Sequence, residues 1–213
     1  MAAISSLVRN ILLDIPEIPS FVAEKQYARA LRELCEQARV WRVDDTLTTT
    51  ANQATLSVTP LLPELTELVD IISVKPVSGA SPVKPKTQKW LDENESDWRS
   101  STGLTAHYYM LESDGVLRLT PTPTSAVGYY VRAAVKPTEE VQDVSDLVIN
   151  KYSELLISGA KGHLFMIPRK PWTDLKMAQY HRAVFMAGIP DARSEAADEF
   201  QTGVARKVKY GGY

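Results

Sequence analysis

One cysteine, Cys35, stands in the whole chain, which excludes an internal disulfide and any cysteine-built zinc cage. It lies among apolar residues at helical spacing, where a free thiol packs as a small hydrophobe; a reactive thiol is the alternative. Histidine is nearly as scarce. His107, His163 and His181 fall on a predicted strand and two different predicted helices, without HExxH or comparable ligand spacing, so each reads as structural. No glycine-rich phosphate loop occurs either, because Gly159–Ala160–Lys161–Gly162 sits inside a helical pattern rather than after a strand. No cofactor and no metal are expected.

Long apolar runs are also missing. The best stretch, Leu155 to Ile167, is interrupted by Lys161 and His163 and falls short of the roughly 18 residues that span a bilayer, so it predicts a buried helix and no membrane partner. Met1 to Asn10 lacks a basic segment followed by an apolar stretch and a small-residue cleavage site; export is not expected, and maturation in a cytoplasm is. An excess of one charge is absent too, since the formal net charge of −2 gives no whole-chain attraction to nucleic acid. The carboxylate pairs Asp44–Asp45, Glu139–Glu140 and Asp198–Glu199 do not make a hydrolase site on pattern alone. Adjacent residues of a strand point to opposite faces, whereas glycoside hydrolysis needs two carboxyls converging across a substrate. The chain is not expected to be an enzyme.

What is present is an ordinary soluble composition. The 213 residues are 44% apolar and 23% charged, enough for one large domain or two small ones with a real core. Between Ser20 and Trp41, Tyr27, Leu31, Leu34, Cys35 and Ala38 recur at steps of three and four, one face of a helix, with Ser20 placed to cap its start and the threonine-rich stretch after Val43 to end it. Ile4 to Ile15 suits a short helix, broken from the next by Pro16 and Pro19. From about Thr46 to Pro137 the pattern turns to short alternating runs. Strands are predicted at Gln53 to Val58, Leu68 to Pro76, Ala106 to Leu111, Val116 to Thr120 and Val127 to Val135, with a hairpin turn at Glu112–Ser113–Asp114–Gly115. A helix from Thr87 to Arg99 is the exception. Trp90 and Trp98, eight residues apart, form either an exposed aromatic face or, the favoured alternative, core packing.

After Pro137 the helical period returns. Leu147, Tyr152, Leu155, Leu156, Gly159 and His163 mark a long helix ending near Pro168, and Arg169 to Trp172 make a tight corner. Thr173 or Asp174 then caps a helix with Leu175, Met177, Tyr180, Val184, Phe185 and Ile189 on its apolar side, interrupted by Pro190. Gly159 and Gly162 allow close helix–helix approach, which would explain a helix tolerating about 1 kcal/mol per glycine. The fold class is α+β: a small antiparallel helical bundle from the two chain ends, an inserted antiparallel β-rich subdomain, and an extended C-terminal tail. The expected divisions are 1–45, 46–137, 138–201 and 202–213.

Ala30–Leu31–Arg32–Glu33–Leu34–Cys35–Glu36 with Val40–Trp41–Arg42 resembles the opening helix of the head-to-tail adaptor proteins of tailed bacteriophages. Asp97–Trp98–Arg99, Thr102–Gly103, Tyr108–Tyr109 and Leu117–Arg118–Leu119 with Pro121 and Pro123 follow in the order those adaptors use. The most distinctive likeness is Tyr129 to Lys136 with Pro137, then Ile167–Pro168–Arg169–Lys170–Pro171–Trp172, Tyr180 and Ala187–Gly188–Ile189. The resemblance implies a structural virion protein at the head–tail junction, assembled in the host cytoplasm. Its implied state is a homo-oligomeric ring, a dodecamer, between the portal protein and the tail tube or nozzle protein, with DNA passing through and touching it non-specifically.

The tail from Thr202 interleaves Arg206, Lys207 and Lys209 with Val204, Val208, Tyr210 and Tyr213, and no acidic residue follows Glu199. It is either a solvated end or an extended arm reaching up to about 40 Å at roughly 3.3 Å per residue. By analogy with the adaptors, Arg206, Lys207, Lys209, Tyr210 and Tyr213 are expected to bind the portal. Two rivals stand beside this: a nucleic-acid-binding module using the basic tail, and a virion-associated cell-wall hydrolase.

Overall fold

Residues 2–79, 81–113, 115–138, 140 and 143–198 are described by a computed structural model, which divides into two compact units. One comprises the described residues up to Val40 and from Asp143 onward; the other is built from Trp41–Gln142. The chain is mixed α+β, with several antiparallel sheets.

The first unit opens with a two-residue strand, β1 (Ala2–Ala3), and the short helices α1 (Ile4–Leu7) and α2 (Arg9–Asp14). Helix α3 (Ser20–Ala38) follows, and buries the predicted stripe of Tyr27, Leu31, Leu34, Cys35 and Ala38 together with Ala23 and Ala30. Its ends differ from expectation. Ser20 is the first helical residue rather than the cap; Pro19 takes the cap position with an extended backbone and no side chain caps the first turn. Proline's fixed φ suits that entry, and it leaves no N–H to be satisfied. The helix stops at Ala38, ahead of the threonine-rich stretch, because Arg39 turns into the left-handed region at φ 54° and donates its N–H to the Cys35 carbonyl.

The second unit begins with β2 (Arg42–Thr48), a strand the sequence pattern did not single out. There follow β3 (Thr55–Ser57), β4 (Thr66–Pro76), β5 (Lys84–Pro85), α4 (Gln88–Asn94), β6 (Thr102–Gly103), β7 (Tyr108–Ser113), β8 (Val116–Thr120), β9 (Thr122–Pro123) and β10 (Gly128–Pro137). Strand β10 is central to an antiparallel sheet ordered β2-β10-β4, with Tyr129 opposite Leu47 on one side and Pro76 on the other. Its alternation is legible: Tyr129, Val131 and Ala133 are buried, while Tyr130 is 53% exposed. A second sheet is ordered β3-β8-β7-β5, its hairpin closing where Gly115 adopts φ +72°. Leu56, Val58, Ile71, Val74, Tyr109, Leu117 and Leu119 share one core with the buried face of β10.

Helix α4 is shorter than predicted. Thr87 caps it, its hydroxyl accepting from Trp90 N at 3.3 Å, but the polar run Asn94–Glu95–Ser96–Asp97 ends it and Trp98 lies in the turn beyond. The two tryptophans therefore do not share a helix face. Trp98 is buried, as the core alternative requires, and Trp90 is half-buried edge-on to Tyr108.

The first unit resumes with β11 (Asp143–Val144), antiparallel to β1, and helices α5 (Asp146–Phe165) and α6 (Leu175–Ala197). Leu147, expected on the inner face of α5, is exposed, and the buried positions are Val148, Ile149, Tyr152, Leu156, Ile157, Ala160 and Leu164. Non-helical angles at Tyr152 kink the helix and rotate its two halves, so one unbroken period does not describe it. Asp174 caps α6 by accepting from Lys176 N and Met177 N, and the helix continues through Pro190 instead of breaking there. Its inner face matches the predicted one only at Phe185 and Ile189. Ala178, Phe185, Ile189, Ala192 and Ala196 are buried, whereas Leu175, Met177, Tyr180 and Val184 are exposed.

Helices α3, α5 and α6 pack on one another. The facing pairs run in opposite senses, Leu155 with Gly188, Gly159 with Phe185 and Gly162 with Arg182, which makes α5 and α6 antiparallel. The glycines set that approach: a Cβ at Gly159 would stand 2.8 Å from Phe185 Cδ2 and 2.9 Å from the Ala30 Cβ.

Candidate functional site

Among the described residues, the histidines and carboxylate pairs singled out in the sequence do not converge. His107 is exposed on the loop before β7, and His163 and His181 sit on α5 and α6. Among the described residues no group of three or more histidine, cysteine or carboxylate side chains is placed to hold a metal ion. Asp44 and Asp45 are both exposed on β2, Glu140 is exposed, Asp198 follows α6, and Glu139 and Glu199 lie outside the described residues. Lys161, in the glycine-flanked segment of α5, is tied to Asp14 of α2. Among the described residues no helix is long and apolar enough to cross a membrane.

The polar group that does converge is one that pattern reading missed. Glu33 on α3 receives both arms of Arg182 on α6, Nη1 at 2.6 Å and Nη2 at 2.5 Å, and the Gln37 amide at 3.1 Å. His163 on α5 brings Nε2 to 3.4 Å from the same carboxylate without an aligned hydrogen bond. Burial works to raise the Glu33 pKa, but the Arg182 hydrogen bonds and charge outweigh it and hold the carboxyl below its ordinary value. Burial, then the charges of Arg29 and Arg182, push His163 below its ordinary value, so it is neutral at pH 7. A bidentate guanidinium–carboxylate pair fixes angle as well as distance. Its role here is to join α3 to α6, with His163 of α5 set beside the carboxylate. The only sequence signal for it was a charged residue at each of two positions beside apolar stripes.

Exposed apolar residues of the first unit are the other notable surface feature. Met177, Tyr180 and Val184 recur at steps of three and four along α6 and are 40%, 61% and 40% exposed, with Leu175 beside them at the helix start. Farther along, Gln37 of α3 and Met186, Ile189, Pro190, Arg193 and Ala197 of α6 line an open groove of about 640 Å³. Contiguous apolar surface of this kind marks protein–protein contact more often than chemistry. Arg206, Lys207, Lys209, Tyr210 and Tyr213, the expected portal-binding residues, lie outside the described residues.

No curated protein matches the chain. A family does: residues 1–207 of the chain, whose described residues leave apolar helix surface open, match the model described as SU10 adaptor protein, and the chain belongs to that family, a structural adaptor of bacteriophage.

Proposed function

We propose that this adaptor closes into a homo-oligomeric ring, a dodecamer, that docks on the portal protein at the head–tail junction, extends the DNA channel and offers its far side to the tail tube or nozzle protein. The observation that carries this is the extent of the family match, which runs through both units and into the basic tail as far as Lys207. A ring subunit spends its surface on two neighbours and on partners above and below, and heterologous contacts of that kind close only when their rotation is right. The open apolar surface of α6 suits such use. In this assignment the helices from the two chain ends form the bundle, the β-rich unit is its insertion, and DNA meets the ring only through non-specific contacts.

Portal attachment is assigned to the C-terminal arm, through Arg206, Lys207, Lys209, Tyr210 and Tyr213. An arm alone would lose about 1–2 kcal/mol per ordered backbone residue, so a partner surface is needed to order it. A ring supplies many arms at high effective concentration once one has docked, so modest contacts add up to firm attachment.

The test is deletion of Gly203 to Tyr213. The truncated protein should keep its thermal midpoint but fail to co-sediment with portal rings, and infected cells should accumulate DNA-filled heads that leak or lack tails. Neutralising only the three basic residues should give a milder defect that worsens with salt, since screening falls on the exposed part of a contact. Unchanged portal affinity after truncation would move the attachment surface to the folded units and reduce the tail to a solvated end.

A further inference from the structure

The second unit holds a cleft whose chemistry the ring assignment does not use. Trp98, buried to 4% exposure, forms its floor, and two guanidinium groups stand over the indole, Arg99 at 4.3 Å and Arg118 at 5.1 Å from the ring centroid. Lys86 lines the same cleft, its ammonium 3.7 Å from the Trp90 ring. Together with Met110, Leu111 and Glu112 these residues enclose about 540 Å³.

Of the two guanidinium groups, Arg99 has a close acceptor and Arg118 is poorly matched with one. Arg99 is tethered by Asp92, whose Oδ1 accepts from Arg99 Nη1 at 2.8 Å and from Trp98 Nε1 at 2.9 Å. Among the described residues Arg118 has only a long contact, Nη1 to Glu112 Oε1 at 3.4 Å, and its buried Nε has no hydrogen-bond partner there. A buried donor of a charged group left without an acceptor is uncommon and costly. Stacking on an aromatic face leaves a guanidinium's N–H edge free for a planar bidentate acceptor.

We propose that this cleft is a docking site for an acidic side chain of a protein partner, a glutamate or aspartate with an apolar neighbour, its carboxylate received by Arg118 and Arg99 and its neighbour by Met110 and Leu111. Three observations favour a carboxylate over a nucleic-acid strand. Trp98 lies under the guanidinium groups, so no base can stack on it. Leu111, 53% exposed, sits at the rim where a phosphodiester would gain nothing from apolar surface. Glu112 borders the cleft and would repel a continuous polyanion, yet its 3.4 Å hold on Arg118 is weak enough for one carboxylate to displace. The proposal is independent of the portal assignment, since it uses only residues 86–118.

The experiment titrates the full chain with a blocked Leu-Glu-Leu-Glu peptide, following the Arg118 Nε–H and Trp98 Nε1–H resonances by NMR. Both should shift and saturate as the carboxylate settles on the neighbouring guanidinium nitrogens, and binding should weaken about 10-fold or more in Arg99→Gln and in Arg118→Gln. Arg99 is 57% exposed, so its variant keeps the fold even where loss of the more buried Arg118 disturbs it. Equal binding of a Leu-Gln-Leu-Gln peptide would reduce the cleft to an apolar groove and overturn the proposal. Tighter saturation by a single-stranded oligothymidylate at matched salt would make it a phosphodiester site. No shift of either resonance with millimolar glutamate peptide would also overturn it.

Discussion

At the scale of single residues, Gly159 decides how closely α5 approaches its neighbours. Its hydrogen atoms face the Phe185 ring and the Ala30 methyl group, both in fully buried residues, so a larger side chain has nowhere to go. Gly159→Val is expected to lower stability by about 1–3 kcal/mol or more through overpacking, read as a lower thermal midpoint. Gly162→Ala should be near neutral. Its Cβ would meet the Arg182 backbone N at 3.2 Å, and the cost of that mild compression is offset by the roughly 1 kcal/mol that alanine gains over glycine in a helix. The Glu33–Arg182–His163 group predicts a pH dependence. His163 titrates below its ordinary value of 6.5 in the folded chain, so the unfolded chain binds the proton first and stability falls as pH drops below that value. Glu33 is depressed below 4.5, so the stability it contributes is present above that value and is lost as pH falls through its lower folded value. Both effects have the same sign, with histidine acting first. The thermal midpoint should fall between about pH 7 and pH 5, and His163→Gln should flatten that part of the curve while leaving the steeper acid loss below it.

At the scale of elements, the sequence pattern placed both Leu155 and Leu156 on the apolar stripe of α5, and the structure buries Leu156 the more fully. It is fully buried, whereas Leu155 is half-buried with its methyl groups over Gly188. Leu156→Asp should unfold the helical unit, because a burial contributing about 1.5–3 kcal/mol is replaced by an unpaired buried charge; Leu155→Asp should weaken it less. Chemical denaturation of the two variants separates them, and equal loss would contradict this assignment of the face. Asp174→Ala should cost about 1 kcal/mol by releasing the N–H groups of Lys176 and Met177, measurable as a shift in denaturation midpoint. Elements with a strong period or a capping signal were legible: α3, β8 and the start of α6 stand where apolar spacing and Asp174 place them. The inner face of α6 was legible only at Phe185 and Ile189. It carries more large apolar residues than one face can bury, and alanines at 178, 192 and 196 fill the close contact while Met177, Tyr180 and Val184 stay outside.

At the scale of the whole molecule, the proposed ring sets an expectation for the free protein. Subunits that closed early would compete with ordered assembly on the portal, so the isolated chain should sediment as a folded monomer at low concentration and close only on the portal. Analytical ultracentrifugation reads this directly. A stable dodecamer in dilute solution without portal would contradict the assembly order while leaving the family assignment intact.

The sequence by itself determined the α+β class, the positions of the periodic helices and strands, the absence of catalytic spacing and the adaptor likeness, because these rest on local period, turn chemistry and ordered scaffold residues. It did not determine which residues meet across elements. Glu33 and Arg182 are 149 residues apart, and they meet only because α3 and α6 pack on one another. Arg118 and Trp98 likewise become one cleft through the strand and turn that carry them, and a charge or an aromatic ring in a sequence carries no label for its partner. Long-range contact selects among the faces that periodicity leaves available, so the core's pairings and the surfaces left open are properties of the tertiary structure alone.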